Sequence, residues 1–408
     1  MLVKVKNSCK SYGKFIGISL IAIPMGVLIG TMETVFGTVL LQIGEIRNKY
    51  MLYILPFLSV IGVCIVYAYE RFGKDSAKGM SLIFQVAQEE KQQIPLRLIP
   101  FSMIGTWLTH LFGGSAGREG VAVQTGGALS WWIGKQIGYP YTQKTFLIMG
   151  MAAGFAGLFQ TPIGAILFAV EVLMVGVISY EALLPTLIIA FVSSETSHQL
   201  GLEKFTFLLT DTIVWDKIIF IKLLFLGIVF GVVGGGFAYL LQTTKKQCSQ
   251  KIKHPIKRVF LLGCVLSVLL LFCHKGRYSG LGTNLIESSF YGGTVYFYDW
   301  VLKIVFTIFT LSIGFQGGEV TPLFSIGASL GVVLAPFIGL PIPFVAALGY
   351  ISVFAGATNT FFAPIFIGGE VFGYENIPYF FIVCAISYLF NKNKSIYSLQ
   401  RIYKDEKK

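Results

Sequence analysis

Eleven apolar runs are spaced along this chain, and several of them are short or interrupted by glycine and proline. They cover residues 15–43, 51–69, 96–112, 145–159, 162–177, 183–192, 218–241, 259–272, 300–314, 342–354 and 377–389. A helix that crosses a bilayer needs about 20 apolar residues, so several runs are too short to cross alone. Irregular backbone at membrane depth is tolerated only where protein or a water-filled path surrounds it. The pattern predicts an all-α polytopic membrane protein with broken and partial helices.

The composition supports this class and argues against a soluble protein. Only 13% of the 408 residues are charged, whereas soluble domains carry about 25%. The net charge of +12 is concentrated near the N-terminus and in residues 245–258 and 392–408. Basic clusters beside apolar spans are typical of cytoplasmic loops rather than of nucleic-acid binding. We therefore expect a multi-pass protein of the cell membrane, surrounded by the lipid bilayer, with both termini cytoplasmic and no nucleic-acid partner.

The chain resembles itself when its second half is aligned with its first. Four segments match in the same order at offsets of 200 or 202: 117–119 with 317–319, 127–128 with 327–328, 153–154 with 355–356, and 162–163 with 364–365. If the basic loop at 245–258 is cytoplasmic, the second half begins on the outside and the first half on the inside. The sequence therefore predicts inverted repeats, an architecture found mostly in channels and transporters.

The repeat and the charge pattern together predict five segments. These are a cytoplasmic N-terminal segment (1–13), a first membrane repeat (14–200), an extracellular connection (201–216), a second, inverted membrane repeat (217–400) and a cytoplasmic tail (401–408).

The glycine-rich segment 113–121 is the strongest local signal for function. Glycines allow bare backbone amides to approach an ion, and residues 120–133 have the pattern of a helix. The N-terminus of such a helix presents unpaired N–H groups and the positive end of the dipole, so an anion is its natural occupant. Glu119 lies at the mouth of this site, where its own carboxylate could take the place of the anion. A carboxylate that is protonated and swings away serves as a gate and a proton carrier; alternatively, Glu119 merely caps the helix and pairs with Arg118.

Three segments carry a resemblance to a known family. Residues 117–120 (GREG), the second-half segment 317–322 and residues 395–398 (SIYS) resemble motifs of the CLC family of anion channels and proton-coupled anion antiporters. The resemblance covers the chain from about residue 14 to 400 and implies the CLC type of inverted repeat. It also implies that Glu119 is the gating glutamate, that the Tyr397 hydroxyl contacts the central anion, and that the protein is a homodimer with one pathway in each subunit.

The chain departs from the chloride-carrying members of this family at several positions. Met80 stands where they have a pore serine, and Val121 follows GREG where they have proline. Glu171 aligns with one inner acid, but the inner proton-transfer position is Val172, whereas Glu319 supplies a carboxylate elsewhere. These changes are similar to those of the fluoride-exporting CLC-F branch.

Fluoride holds its water tightly, so a selective site must compensate for its dehydration. Backbone N–H groups near Gly120 and Val320, together with Thr321 and the Tyr397 hydroxyl, could supply that compensation. The place of Met80 in fluoride selectivity rests on the resemblance, since a thioether is only a weak acceptor. We accordingly expect Met80, Gly120, Val121, Val320, Thr321 and Tyr397 to bound the anion path.

These observations predict a prokaryotic fluoride exporter, not an enzyme, that exchanges fluoride for protons. Glu119 is expected to gate the path and carry protons, and Glu319 to support proton coupling. The alternatives are a chloride/proton exchanger, a passive anion channel of the same family and, remotely, an intramembrane hydrolase with Glu119 and Glu319 as its carboxylate pair. We expect no cofactor and no metal, since the six cysteines have no ligand spacing. Glu370 is expected to end a helix structurally, and Glu33 either pairs in the protein interior or at the outer interface or has a role in function.

Overall fold

The computed structural model of the protein describes residues 2–91, 93–138, 143–210 and 213–403, and the side chains of 2–15 lie outside that description. The helices of this part are α1 (Leu2–Ile54), α2 (Leu58–Ala68), α3 (Met80–Ala87), α4 (Leu98–Leu111), α5 (Glu119–Ile137), α6 (Gln143–Phe159), α7 (Pro162–Glu171), α8 (Leu183–Gln199), α9 (Lys217–Lys251), α10 (Pro255–Phe272), α11 (Thr283–Phe290), α12 (Asp299–Ile313), α13 (Val320–Ile338), α14 (Ile342–Thr358), α15 (Phe362–Phe372) and α16 (Ile377–Phe390). Two short strands, β1 (Met174–Val175) and β2 (Arg401–Ile402), pair in parallel. The predicted all-α fold is confirmed.

Apolar, lipid-facing helices account for the membrane assignment. Four helical stretches are long and apolar enough to cross a bilayer, judged by length and composition: Ile16–Ala87, Lys217–Lys251, Pro255–Phe272 and Val320–Ile338. Large side chains on three of them, Leu20, Ile221 and Phe272, are 63%, 65% and 85% exposed. Apolar surface of this kind is stable when lipid covers it. The predicted multi-pass membrane protein is thereby confirmed.

The helices of the two halves correspond in order and length. α5 and α13 have 19 residues each, from Glu119 and from Val320. Both end at a glycine in the left-handed region, Gly138 at φ +77° and Gly339 at φ +64°, where a side chain would be strained. α6 and α14, which follow them, have 17 residues each. The internal repeat predicted from the sequence is confirmed.

A reciprocal pair of hydrogen bonds joins the two halves. The Gly117 N–H donates to the Gly318 carbonyl at 2.5 Å, and the Gly318 N–H donates to the Gly117 carbonyl at 2.8 Å, in an antiparallel bridge. A mutual pair of this kind places a local two-fold axis between the two residues, so the repeats are inverted, as predicted. Gly117 therefore corresponds to Gly318, so adding 201 (318 − 117) to a residue number of the first half gives its counterpart in the second half. We call this the bridge offset. It is one larger than the offset of 200 that matches Glu119 with Glu319 in the sequence.

A threonine from each half holds the glycine-rich segment of the other. The Ser115 N–H donates to Thr310 Oγ1 at 3.1 Å, and the Gln316 N–H donates to Thr109 Oγ1 at 3.2 Å. The bridge offset pairs Ser115 with Gln316 and Thr109 with Thr310. The threonine hydroxyls thus supply acceptors for two backbone N–H groups of the glycine-rich segments, as amides inside a protein require. The two segments are thus fixed against each other on the axis.

Glycines allow the helices that carry the site to cross in backbone contact. A Cβ atom at Gly126 on α5 would lie 2.3 Å from the Gly150 carbonyl oxygen on α6, and one at Gly327 on α13 would lie 2.0 Å from the Gly349 oxygen on α14. Either substitution would force the pair apart. Small residues at such crossings are the usual means of packing helices in a membrane, where the hydrophobic effect does not drive them together.

The predicted segments at the ends of the repeats stay predictions. Residues 2–13 form the start of α1, and the connection 201–216 joins α8 to α9, with 211–212 outside the described residues. Residue 1 and residues 404–408 of the predicted tail also lie outside them. The sidedness of both termini is likewise a prediction.

Candidate functional site

The starts of three helices meet beside one large cavity. Met80 is the first residue of α3, Glu119 is the first of α5, and Val320 is the first of α13. The first turn of each helix has N–H groups without helical partners and carries the positive end of the helix dipole. The three helix starts share one sequence feature, because a glycine lies one or two residues before the first residue of each helix. The arrangement is suited to an anion.

The cavity, here called the vestibule, has a volume of about 900 Å³. Four of the predicted site residues line it: Met80, Val121, Glu319 and Tyr397. The other four predicted residues, Glu119, Gly120, Val320 and Thr321, lie in the first turns of α5 and α13. The structure therefore brings the predicted residues together in one place.

The Glu119 carboxylate is held by donors at the start of α13. Its side chain is fully buried, and it accepts hydrogen bonds from the Thr321 backbone N–H at 3.1 Å and from the Thr321 hydroxyl, which lies 2.7 and 2.5 Å from its two oxygens. The Arg118 N–H lies 3.3 Å from the same carboxylate. The donors at the start of α13 thus hold a carboxylate from the other half of the chain. A carboxylate bound in this way blocks the same donors from binding a free anion.

Glu319 has a different position, although it is also at the start of a helix. It is the residue before α13, it is partly buried, and it lines the vestibule. Its Oε2 atom would lie 3.7 Å from a Cβ atom placed at Gly120. The Glu319 carboxylate therefore lies beside the first turn of α5. The second carboxylate faces the solvent-accessible side of the site, whereas the first is enclosed.

Tyr397 is held rigidly at the wall of the vestibule. Its ring lies 5.3 Å from that of Phe84 and 6.3 Å from that of Phe168, measured between centroids, and it is 6% exposed. The Tyr397 N–H donates to Ser395 Oγ at 3.2 Å, which fixes the backbone. A phenol with its ring packed against two others presents its hydroxyl in one direction. This rigidity suits a donor to a small anion.

Gln124 is a lining residue that the sequence analysis did not identify. It lies one turn after Val121 on α5, it lines the vestibule, and its Oε1 atom would be 3.3 Å from a Cβ atom at Gly79. Gly79 has φ +52°, a conformation that favours glycine, and the missing side chain leaves space for the amide. A primary amide offers two N–H donors next to Met80. Its i,i+4 spacing from Gly120 in the sequence could have indicated this residue.

Basic side chains predominate among the charged residues at the mouth of the vestibule. This basic rim consists of Lys74, Lys78, Lys245, Lys246, Arg258 and Lys394, against the acids Glu70 and Glu319. Asp75 pairs with Lys78 at 2.9 Å and so offsets one of these charges. A cleft lined with one sign of charge concentrates counter-ions and accelerates their capture. The rim therefore favours anions over cations in the vestibule.

Two further acids, Glu171 and Glu370, cap each other's helices. Glu171 ends α7 and accepts hydrogen bonds from the N–H groups of Phe361, Phe362 and Ala363 at the start of α15. Glu370, on α15, accepts from the N–H groups of two residues in the first turn of α7, Ile163 at 3.0 Å and Gly164 at 2.9 Å. Both carboxylates are occupied by helix N-termini, where negative charge is stabilising.

Comparisons with known proteins identify the family of the chain. The family model for voltage gated chloride channels matches residues 61–392. A chloride/fluoride channel protein of Pseudomonas syringae pv. tomato is 36% identical over 366 residues, which cover 87% of this chain and 79% of that protein. An H(+)/Cl(-) exchange transporter of Salmonella paratyphi B is 26% identical, and the alignment covers 78% of this chain and 71% of that protein.

Solved structures resemble the whole chain. The crystal structure of a CLC-type fluoride/proton antiporter has 52% sequence identity and a TM-score of 0.95, and the alignment covers 96% of this chain and 99% of that one. A slow cyanobacterial Cl−/H+ antiporter aligns with a TM-score of 0.80 over 94% of this chain and 96% of its own, but at 19% identity it supports the fold alone. With a family model over most of its length and a relative 36% identical across both chains, the protein belongs to the voltage gated chloride channel family, also called the CLC family.

Proposed function

We propose that this protein exports fluoride from the cytoplasm in exchange for protons, as a secondary active antiporter. The observation that carries the proposal is the Glu119 carboxylate in the donor site of Thr321. A free anion and this carboxylate compete for the same N–H and hydroxyl donors. Only one of them can occupy the site at a time, and this exclusion is the basis of coupled exchange.

Protonation decides which of the two occupies the site. A neutral Glu119 carboxyl group attracts the N–H groups and the dipole at the start of α13 much less than a carboxylate does. The protonated side chain leaves, and an anion from the vestibule takes its place. When the anion has passed, deprotonation returns the carboxylate to Thr321. Each cycle therefore moves a proton and an anion in opposite directions.

Glu319 provides the second proton-binding group of the proposed path. Protons that leave Glu119 toward the vestibule need an acceptor there, and the Glu319 carboxylate lines the vestibule near the first turn of α5. The inner position that other family members use is Val172, whose carbonyl oxygen accepts a hydrogen bond from the Gln400 amide at 2.8 Å. A valine cannot carry a proton, so we assign this role to Glu319.

The choice of fluoride is supported by the donors and by similarity. A small anion that gives up its water requires several N–H and O–H groups at short range, and the starts of α5 and α13 with Tyr397 provide them. The solved structure that is 52% identical to this chain is a fluoride/proton antiporter, and Met80 is the residue that we associate with the same preference.

We also propose that the protein is a homodimer in the cell membrane, with both termini and the basic rim facing the cytoplasm. α8 and α16 have exposed apolar side chains, including Leu184 at 53% and Phe381 at 48%, that a second copy could cover. Cross-linking in native membranes tests the dimer, and protease digestion of oriented vesicles tests the sidedness of the termini.

The function is tested by flux from liposomes that contain the purified protein. A fluoride electrode follows the anion while a pH probe follows protons, with chloride-loaded liposomes as the matched measurement. Fast fluoride release, slow chloride release and proton movement in the opposite direction support the proposal. Comparable chloride release would make the protein a chloride/proton exchanger, and fluoride release without proton movement would make it a passive channel.

A further inference from the structure

The vestibule lies on one side of the two-fold axis that relates the two halves, and residues of both halves line it. Its wall includes Ser102 on α4 and Gln316 in the glycine-rich segment before α13. By the bridge offset, which the Gly117–Gly318 pair defines, their counterparts across the axis are Lys303 and Ser115. Both counterparts are fully buried. The two sides of the axis therefore have the same backbone plan, but the vestibule lies on the side of Ser102 and Gln316.

A second pair of contacts supports the correspondence of the two places, although α11 begins two residues later than the bridge offset from α3 gives. At the vestibule, Gly79 precedes α3 and Gln124 approaches it. Across the axis, Gly282 precedes α11, which has the same length of 8 residues as α3, and a Cβ atom at Gly282 would lie 2.7 Å from Ser325 Oγ. The bridge offset pairs Ser325 with Gln124. Both glycines have a positive φ, +52° and +89°.

The Lys303 side chain fills the place that is open in the other half. The Cβ position of Gly282 lies 2.8 Å from Lys303 Cε. The Lys303 ammonium donates to Ser115 Oγ at 2.9 Å, to the Tyr278 carbonyl at 3.1 Å and to the Gly280 carbonyl at 2.8 Å. All three of its protons thus have acceptors, as a buried ammonium requires. A long side chain with its end fully satisfied is a well-fixed filler.

We infer that Lys303 closes the counterpart of the vestibule, so that solution reaches the anion site from one face and Glu119 is the barrier toward the other. This positioning role rests on the proposed transport function, although the closure itself does not. The residue at the equivalent place, Ser102, is too small to reach across, and the vestibule lies beside it.

Two effects follow from the closure. The lysine occupies volume that would otherwise admit water, and it ties Ser115 to the carbonyls of Tyr278 and Gly280. Ser115 precedes Glu119 in the same segment, and its hydroxyl also lies 2.9 Å from Thr307 Oγ1. The segment that carries the gate is thereby held in place from the closed side. Without the filler, anions could pass while Glu119 is still bound to Thr321.

The test is the accessibility of a cysteine at the closed place. S115C is introduced into a variant whose six native cysteines are replaced by serine or alanine, and an anionic, membrane-impermeant methanethiosulfonate reagent is applied to both sides of reconstituted vesicles. We expect K303S to accelerate labelling by about tenfold, which corresponds to about 1.4 kcal/mol. K303M fills the volume and should keep labelling slow. K222S, at a lysine near Gly339 on the surface of α9, is the matched control.

Labelling of a folded K303S variant at the rate measured with the native lysine would overturn the inference. Equal acceleration in K303M would also overturn it, since closure would then depend on the charge rather than on filling. Labelling does not require transport, so an inactive wild-type protein would refute the proposed function and leave this test valid. In an active protein, K303S should also raise the number of fluoride ions released per proton.

A mirror variant serves if K303S does not fold. S102K combined with Q316S rebuilds the Lys303–Ser115 pair at the wall of the vestibule, whose volume of about 900 Å³ gives the longer side chain room. We expect fluoride flux to fall by about tenfold relative to the S102A/Q316S double variant, because the lysine fills the opening. Equal flux in these two double variants would show that a lysine at this place does not close a path, and the inference would be wrong.

Discussion

The starts of α5 and α13 have nearly the same backbone and place their acids differently. Glu119 is the first residue of α5, whereas Glu319 is the residue before α13. By the bridge offset, Glu119 corresponds to Val320, and Glu319 corresponds to Arg118. One residue along a helix turns a side chain by about 100°. One acid consequently binds Thr321 across the axis, and the other faces the vestibule.

This difference shows how a symmetric fold supports a directional process. The repeats bring two sets of helix N-termini together, and that geometry alone would bind an anion equally from both sides. In the proposed mechanism, carboxylates at inequivalent places make one side the gate and give the other side the second proton-binding group. Variants that remove one acid at a time should therefore have unequal effects.

The largest effect is expected for E119Q. Glutamine retains the shape but cannot exchange a proton, so proton transport coupled to fluoride should fall by about a hundredfold or more. Electrode and pH recordings from the same liposomes measure it. E33Q changes another fully buried acid, hydrogen-bonded to Thr125 at 2.7 Å, and serves as the matched control. Proton transport that persists in E119Q would contradict the gate.

E319A sharpens the comparison from the vestibule side. We expect proton flux to fall by about tenfold, because Glu119 loses its nearby proton acceptor while the gate itself is intact. The rate of fluoride-driven acidification measures this loss. Proton and fluoride fluxes equal to those of the wild type would refute the second-carboxylate role.

M80S tests the residue that lines the vestibule at the start of α3. Restoring the serine of chloride-carrying family members should raise chloride flux relative to fluoride by about tenfold, since a hydroxyl donates to a larger anion where a thioether does not. The ratio of the two initial rates is the measured quantity, and M80L controls for the loss of sulfur. An unchanged ratio in M80S would separate this methionine from selectivity.

T321A should loosen the Glu119 carboxylate without removing it. The hydroxyl is lost while the backbone N–H stays, and a hydrogen bond to a charged group contributes about 1.5–3 kcal/mol. Fluoride release should then run ahead of proton movement, and T321S should retain more of the coupling than T321A. Stoichiometry from paired recordings checks this, and equal ratios in T321A and the wild type would speak against competition for the site.

The smallest effect on transport is expected for E171Q. This acid caps the start of α15, so its neutralisation should lower the free energy of unfolding by about 1 kcal/mol. Proton coupling should not change. Thermal unfolding in detergent measures the first effect and liposome recordings the second. Loss of proton coupling in a stably folded E171Q variant would show that Glu171 takes part in proton transfer.

Much of the fold could be predicted from the sequence, because long apolar runs leave few alternatives in a membrane. The apolar runs do not include α13, although that helix satisfies a span criterion with a mean hydropathy of 1.8. Its glycine, serine and proline residues dilute the apolar pattern. These same small residues allow α13 to contact α14 closely, at Gly327 for example. The small residues that make α13 difficult to identify in the sequence are therefore the ones that allow its close packing.

The site was predictable in part. Helix N-termini and glycines indicated an anion, and the resemblance supplied Tyr397 and Met80, but the sequence could not show that Thr321 holds Glu119. That contact joins residues 202 positions apart, and only the two-fold arrangement brings them together. The sequence comparison matched Glu119 with Glu319 because both are glutamates. In the structure, however, Glu119 corresponds to Val320, since these two residues begin α5 and α13. The cross-capping by Glu171 and Glu370 was beyond prediction for the same reason.

The vestibule also determines where the membrane potential acts. Its solution carries the potential of one face inward to Met80 and Glu319, so little of the electric field falls along that stretch. The field is concentrated in the closed protein between Glu119 and the opposite face. The energy of a unit charge changes by about 2.3 kcal/mol when it moves through a potential difference of 100 mV. Voltage should therefore act on the step that moves the anion past Glu119 and leave anion capture at the basic rim almost unaffected.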